Sequence, residues 1–291
     1  MTEPSLDAKT LKRLITDEIF KAMGWPEHGL RHRVFSPLFS KATQRFAELF
    51  AMIDQQVALH GVVEAARWAL PRFVTSFRAE GTENIPADGP LVIASNHPGT
   101  YDSLVIAASL PRPDLKIIGG DIPFLINLPH VSRHMIYTSY SDMLSRMTAV
   151  RQAIRHLQEG GSLLLFARAG IEPDPAVMPG AEDELSLWSQ SLELFLKRVP
   201  ATRVVVSIVS GVLSAKSLNH PLTWLRRKRV DRQRLAMFAQ VIQQMVMGQN
   251  LSLTPWVTFG QVTSLERLNG LPGVLPVIIA SAQQLLALRT T

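Results

Sequence analysis

A chain of 291 residues that is 46% hydrophobic can bury a large core, and 19% charged residues is too ordinary a share for a disordered protein. With no cysteine, disulfides, thiolate nucleophiles and cysteine-based zinc sites are excluded. The net charge of +6 is concentrated: Trp224 to Arg234 carries six basic residues and one Asp, a +5 patch that attracts phosphates on lipids, carriers or nucleic acid.

The opening MTEPSLDAKTLKRL lacks the apolar stretch of a signal peptide, so export by that route is not expected. Residues 1–72 read as an N-terminal helical segment. Leu11, Leu14, Ile15, Ile19 and Met23 recur at helical spacing, and a break is expected between Trp25-Pro26 and Pro37. A second helix is predicted from Pro37 to Leu70, ending before Pro71, with Phe46, Leu49, Phe50, Ile53 and Val57 on one stripe.

Residues 73–291 read as an α/β domain. Strands are predicted at Phe73–Ala79, Pro90–Ser95, Lys116–Ile118, Met135–Thr138, Ser162–Phe166, Arg203–Val209 and Val257–Phe259. Helices are predicted over Asp102–Leu110, from Met143 to Leu157 before Gly160-Gly161, over Glu184–Lys197 and over Val230–Met247. The alternation implies a mixed, mostly parallel sheet covered by helices. The longest apolar candidate for a membrane span, Leu271 to Leu288, is interrupted by prolines and paired glutamines, and falls short of the roughly 18 to 20 unbroken residues required.

The stretch ASNHPGTYDSL, residues 94–104, carries the chemistry. A buried strand runs into a loop with His97, Pro98 and Gly99, and Asp102 opens the next helix. On one continuous helix His97 and Asp102 would face apart, but a turn at Pro98-Gly99 folds the imidazole back onto the carboxylate. A neutral imidazole accepts a proton from a hydroxyl near neutral pH, and a carboxylate behind it fixes the tautomer and stabilises the imidazolium. A His and an Asp at one fixed spacing arise by chance about 0.3 times in this composition, so the pair alone does not identify a site.

Its surroundings do more. EGTENIPADGPLVIASNHPGTYDSL, then LQEGGSLLLFARAG at 157–170, VVVSIVSGV and VTFGQVTSL follow one another in an order that resembles the glycerolipid acyltransferase family, over roughly residues 75–265. The resemblance implies an acyl-CoA or acyl-carrier-protein donor, no further cofactor, no metal, and His97 as base with Asp102 beside it. It points to Asn96, Gly99, Thr100, Arg168, Gly170 and Glu172 as substrate-binding positions, with Gly170 either forming an amide pocket for the oxyanion or serving only the turn. Glu172 and Asp174 are candidates for holding an acceptor hydroxyl.

The family's F-P-E-G-T-R-like loop departs here. If Gly170 matches the loop glycine, Ala169 takes the Glu position and Glu172 falls where an arginine would bind the acceptor phosphate. Arg133, Arg146 or Arg168 would have to compensate. A lysophospholipid or glycerol phosphate acceptor is therefore expected, with a non-phosphorylated lipid acceptor as the alternative. A catalytically idle relative that holds anionic lipid, and a hydrolase, are the other readings. No G-x-S-x-G elbow supports the hydrolase. Only Trp224 and Phe238 stand near the basic patch, which disfavours single-stranded nucleic acid, and no nucleic-acid partner is expected. The expected location is cytoplasmic, at the inner face of a membrane, held peripherally through the N-terminal helices and the patch.

Overall fold

The computed structural model describes residues 7–25, 29–139, 141–248, 251–268 and 273–290. Two N-terminal helices, α1 (Ala8–Met23) and α2 (Leu30–Ala69), precede the short strand β1 (Arg78–Glu80) and the buried strand β2 (Leu91–Ser95). Then come α3 (Asp102–Ser109), β3 (Leu115–Gly120), α4 (Pro123–Ile126), α5 (Pro129–Arg133), β4 (Met135–Thr138), α6 (Met143–Gln158) and β5 (Ser162–Phe166). The chain continues through α7 (Ala181–Leu185), α8 (Ser191–Arg198), β6 (Arg203–Ser210), α9 (Ala215–Leu218) and α10 (Arg229–Met247). It closes with β7 (Trp256–Phe259), β8 (Thr263–Ser264), α11 (Leu265–Leu268) and α12 (Val274–Thr290).

The strands form one sheet in the order β1-β7-β6-β2-β5-β3-β4, with β8 also paired to β6. Strands β2 to β6 pair with one another in parallel, while β7 and β8 run antiparallel to β6, so the sheet is mixed and mostly parallel. Alternation along β2 sends Leu91 and Ile93 into the core under α2, α3 and α10. Val92 and Ala94 point to the opposite core, under α6, α8 and α12. Because β2, β5 and β6 are parallel neighbours, their C-terminal ends deliver three loops to one edge of the sheet.

Several expected elements differ. Phe73–Ala79 is not a strand: pairing is confined to Arg78–Glu80, because Phe73 and Val74 are spent on the core, where Phe73 stacks on Tyr101 at 4.7 Å. The helix expected over Glu184–Lys197 is two short ones, α7 and α8, with Trp188 buried in the link between them. The stretch considered as a span holds α12, whose buried Val274, Ile278, Ala282, Leu285 and Leu286 pack on the sheet. Among the described residues no helix is long and apolar enough to cross a membrane.

At the N-terminus the expected break before Pro37 is shorter, since α2 begins at Leu30 and carries Pro37 inside it. Pro37 is exposed, and Phe39 and Phe46 packed in one cluster with α1 and Leu235 hold the helix in place around it. The true interruption lies at Gly61 (φ 81°, ψ 169°), a conformation open to glycine, where α2 changes direction.

Candidate active site

His97 leaves the C-terminal end of β2, and the residue before it fixes how. The Asn96 amide donates to Val209 O (2.9 Å) and accepts from Val209 N–H (2.8 Å), so it pairs with β6 as a backbone peptide would. His97 then turns back, and its Nδ1 meets Asp102 Oδ2 at 2.7 Å. Asp102 is itself held at the start of α3: Oδ2 accepts from Gly99 N–H (2.9 Å) and Oδ1 from Ser103 N–H (2.6 Å). The first turn of a helix has free N–H groups and a positive dipole end, which suit a buried carboxylate. Asp102 is 1% exposed and His97 29%, so the carboxylate lies behind a ring that reaches the surface.

A second loop grips the same histidine from the other side. His97 N–H donates to Glu172 Oε2 (2.7 Å), and Glu172 N–H donates back to His97 O (2.9 Å). The other carboxylate oxygen of Glu172 accepts from Trp188 Nε1–H at 3.0 Å. Gln233 on α10 donates to both Pro98 O (2.8 Å) and Glu172 O (2.7 Å), and clamps the two loops together. Phe166, the last residue of β5, stacks on the imidazole at 4.1 Å. With Nδ1 committed to Asp102, Nε2 is the nitrogen left to exchange a proton.

This strand–His–turn–Asp–helix unit lies inside residues 76–207, which match the family model described as Acyltransferase. The chain therefore carries an acyltransferase domain. It is an enzyme that transfers acyl groups. Over 95% of this chain and 96% of the other, the structure is also similar to the 1-acyl-sn-glycerophosphate (LPA) acyltransferase PlsC from Thermotoga maritima, at 12% identity and a TM-score of 0.46. That likeness is too distant to carry a substrate or a residue role across. No curated protein matches the sequence.

In this acyltransferase, electrostatics sharpen the two loops' roles. Burial pulls the His97 imidazolium down, but the charge and hydrogen bond of Asp102, with Glu172 behind, outweigh it and leave the ring above its ordinary value. Burial pushes the Glu172 carboxyl up to about 7, against the pull of Trp188 and the His97 N–H. Asp174 is also raised by burial, despite backbone N–H groups of Gly211, Ala176 and Leu213 at 2.8–3.0 Å.

The expected site residues thus separate. His97, Asp102, Asn96 and Gly99 form one unit, and Thr100 sits half-exposed in the turn between them and α3. Glu172 and Asp174, considered as holders of an acceptor hydroxyl, are instead buried, and both oxygens of each are occupied by protein N–H groups. Arg168 pairs with Glu184, which Arg229 of α10 also reaches at 2.7 Å. The turn conformation expected of Gly170 belongs to Ala169 (φ 60°). A side chain at Gly170 would meet the tip of Arg168 at 2.6 Å.

Trp188 and Gln233 went unread in the sequence. A signal for Gln233 existed: Gln233, Gln240 and Gln244 recur along the inward face of α10, where apolar residues are the rule. Gln240 accepts from Ser214 N–H and donates to Val212 O, each at 2.8 Å. Gln244 takes the Tyr101 hydroxyl at 2.5 Å. Among the described residues no three His, Asp or Glu side chains gather as a metal site.

Proposed function

We propose that this acyltransferase moves a fatty acyl group from a CoA or carrier-protein thioester to a hydroxyl of a glycerolipid-type acceptor, a lysophospholipid or glycerol phosphate. The observation that carries the reading is the 2.7 Å contact between His97 Nδ1 and a buried, doubly supported Asp102, with the ring edge exposed. The acceptor hydroxyl gives its proton to His97 Nε2 as its oxygen attacks the thioester carbonyl. The tetrahedral intermediate expels the thiolate, which takes that proton from the imidazolium. The products are an ester and a free thiol. No protein nucleophile and no cofactor is needed, because the thioester is already activated.

Asp102 holds the tautomer with Nδ1–H and steadies the imidazolium. The test is acyl transfer by His97→Ala, with circular dichroism to confirm folding. Loss of transfer is expected, and full activity in a folded variant sinks the mechanism.

Peripheral attachment to a membrane belongs to the same reading. Leu30, Val34 and Leu38 stand exposed on α2, and Leu222, Trp224 and Leu225 stand exposed before α10. Arg226 lies against Gly24 at the end of α1, and Trp25 contacts Phe35 of α2 at 5.1 Å, which gathers both groups at one end of the molecule. Exposed Arg33, Arg227 and Lys228 border them. Apolar side chains within a basic rim fit an anionic lipid surface. Trp224→Ser with Leu225→Ser should weaken flotation with anionic vesicles, and unchanged flotation counts against this surface.

A further inference from the structure

Three arginines are gathered around the His97 loop, and two of them are already engaged. Arg168 and Arg229 both close on Glu184, one on each carboxylate oxygen. Arg229 also donates to Gln233 Oε1 (2.9 Å) and Ile171 O (3.3 Å). The third, Arg234, is 53% exposed, and among the described residues it meets a carboxylate at Asp231 Oδ1, 4.0 Å away. The other oxygen of Asp231 serves Arg226 at 2.8 Å.

Arg234 is nonetheless held close to the chemistry. The residue before it, Gln233, is the clamp on Pro98 O and Glu172 O, and Met237, three residues on, packs at 3.8 Å from where a side chain on Gly99 would begin. The charges acting on His97 are Asp102 from α3, Glu172 from the loop after β5, and Arg234 from α10, the one cation among them. Glu172 does not oppose an incoming phosphate at the surface, since it lies buried behind the loop.

We propose that Arg234 receives the acceptor's phosphate and so sets the preference for an anionic acceptor. The assignment rests on the acyl-transfer reading and deepens it. A guanidinium three residues before Met237, on the α10 face that meets the His97 loop, can bind a phosphate through two parallel N–H bonds, which an ammonium cannot match. Arg168, in the loop at 168–172, is already taken up by Glu184.

The test uses the full chain, one acyl-CoA, and two acceptors that differ only in the phosphate: a 1-acylglycerol 3-phosphate and the corresponding monoacylglycerol. Arg234→Ala should raise KM for the phosphorylated acceptor about tenfold, the scale of one charge-assisted contact, and leave the monoacylglycerol within about twofold. Arg234→Lys should recover part of the loss. Arg155→Ala, which removes the same charge from exposed α6, controls for net charge. Without Arg234 the imidazolium is favoured, so the acid limb of kcat should move to higher pH at saturating acceptor. Equal losses on both acceptors, or a wild-type preference for the monoacylglycerol, overturn the assignment while leaving acyl transfer standing. Transfer to neither acceptor by the wild type overturns the acyl-transfer reading itself.

Discussion

Two loops meet at His97, and they treat it differently. The loop after β2 reaches the ring, through Asp102 on Nδ1, whereas the loop after β5 reaches the peptide, through Glu172 on the His97 N–H and C=O. Both carboxylates are buried to the same degree, 1% exposed. In the proposed mechanism the first acts on the proton that moves. The other holds the backbone from which the ring projects. Burial therefore does not distinguish a catalytic partner from a positioning one, and the atom contacted does.

The sharpest way to break this comparison is to neutralise each carboxylate in turn. Asp102→Asn should lower kcat by roughly 10³- to 10⁴-fold, because an amide can present its NH₂ to Nδ1 and stabilise the wrong tautomer. Glu172→Gln should cost far less activity, roughly tenfold, but also stability of about 1–3 kcal/mol, since one of two buried N–H donors loses its acceptor. Activity by acyl-CoA consumption and unfolding by urea titration measure the two effects. If Glu172→Gln matched Asp102→Asn in kcat without loss of stability, the division of labour proposed here would fail.

The ring-side loop was legible in the sequence because the His97–Asp102 contact and the N–H groups that support Asp102 are local, although the hold of Asn96 on Val209 is not. Asn96, His97, Gly99 and Asp102 span seven positions, and the strand before and helix after them follow from alternation and spacing. The backbone-side loop was not, because its partners are distant: Glu172 lies 75 residues from His97 and Gln233 lies 135 from Pro98. The sequence offers Glu172 as a holder of an acceptor hydroxyl, and only the fold shows Trp188 closing over it. The same limit explains Phe73 and Val74, whose β-prone side chains were drawn into the core beside Tyr101 instead of into pairing. It explains Arg168 as well, whose ion-pair partner Glu184 stands on a separate helix.

A smaller effect should appear in stability against pH. Glu172, at about 7 when folded and 4.5 when not, holds a proton in the native state that the unfolded chain has released. Its contribution is full below about pH 4.5 and is lost as pH climbs through 7. His97, also raised, adds a loss in the same direction on the alkaline side of 6.5. Tm should therefore fall between pH 5 and pH 8, and Glu172→Gln should flatten that slope. A Tm that rises over this interval would contradict the buried, half-titrated carboxyl.

The smallest expected effect concerns Ala169, which holds a left-handed conformation (φ 60°) that costs an L-residue roughly 1–2 kcal/mol. Ala169→Gly should stabilise the fold by about 1 kcal/mol or less once the glycine's own entropy is subtracted. If acceptor affinity fell as stability rose, the strain at Ala169 would belong to the shape of the substrate pocket.

The pairing of Asn96 with Val209 makes the His97 loop observable from outside the site. The Val209 amide proton is held by that side chain, so it exchanges with solvent only when Asn96 lets go or β6 opens. Its hydrogen-exchange protection relative to other β6 amides thus measures the free energy of releasing the His97 loop from the sheet, in a protein with no substrate bound.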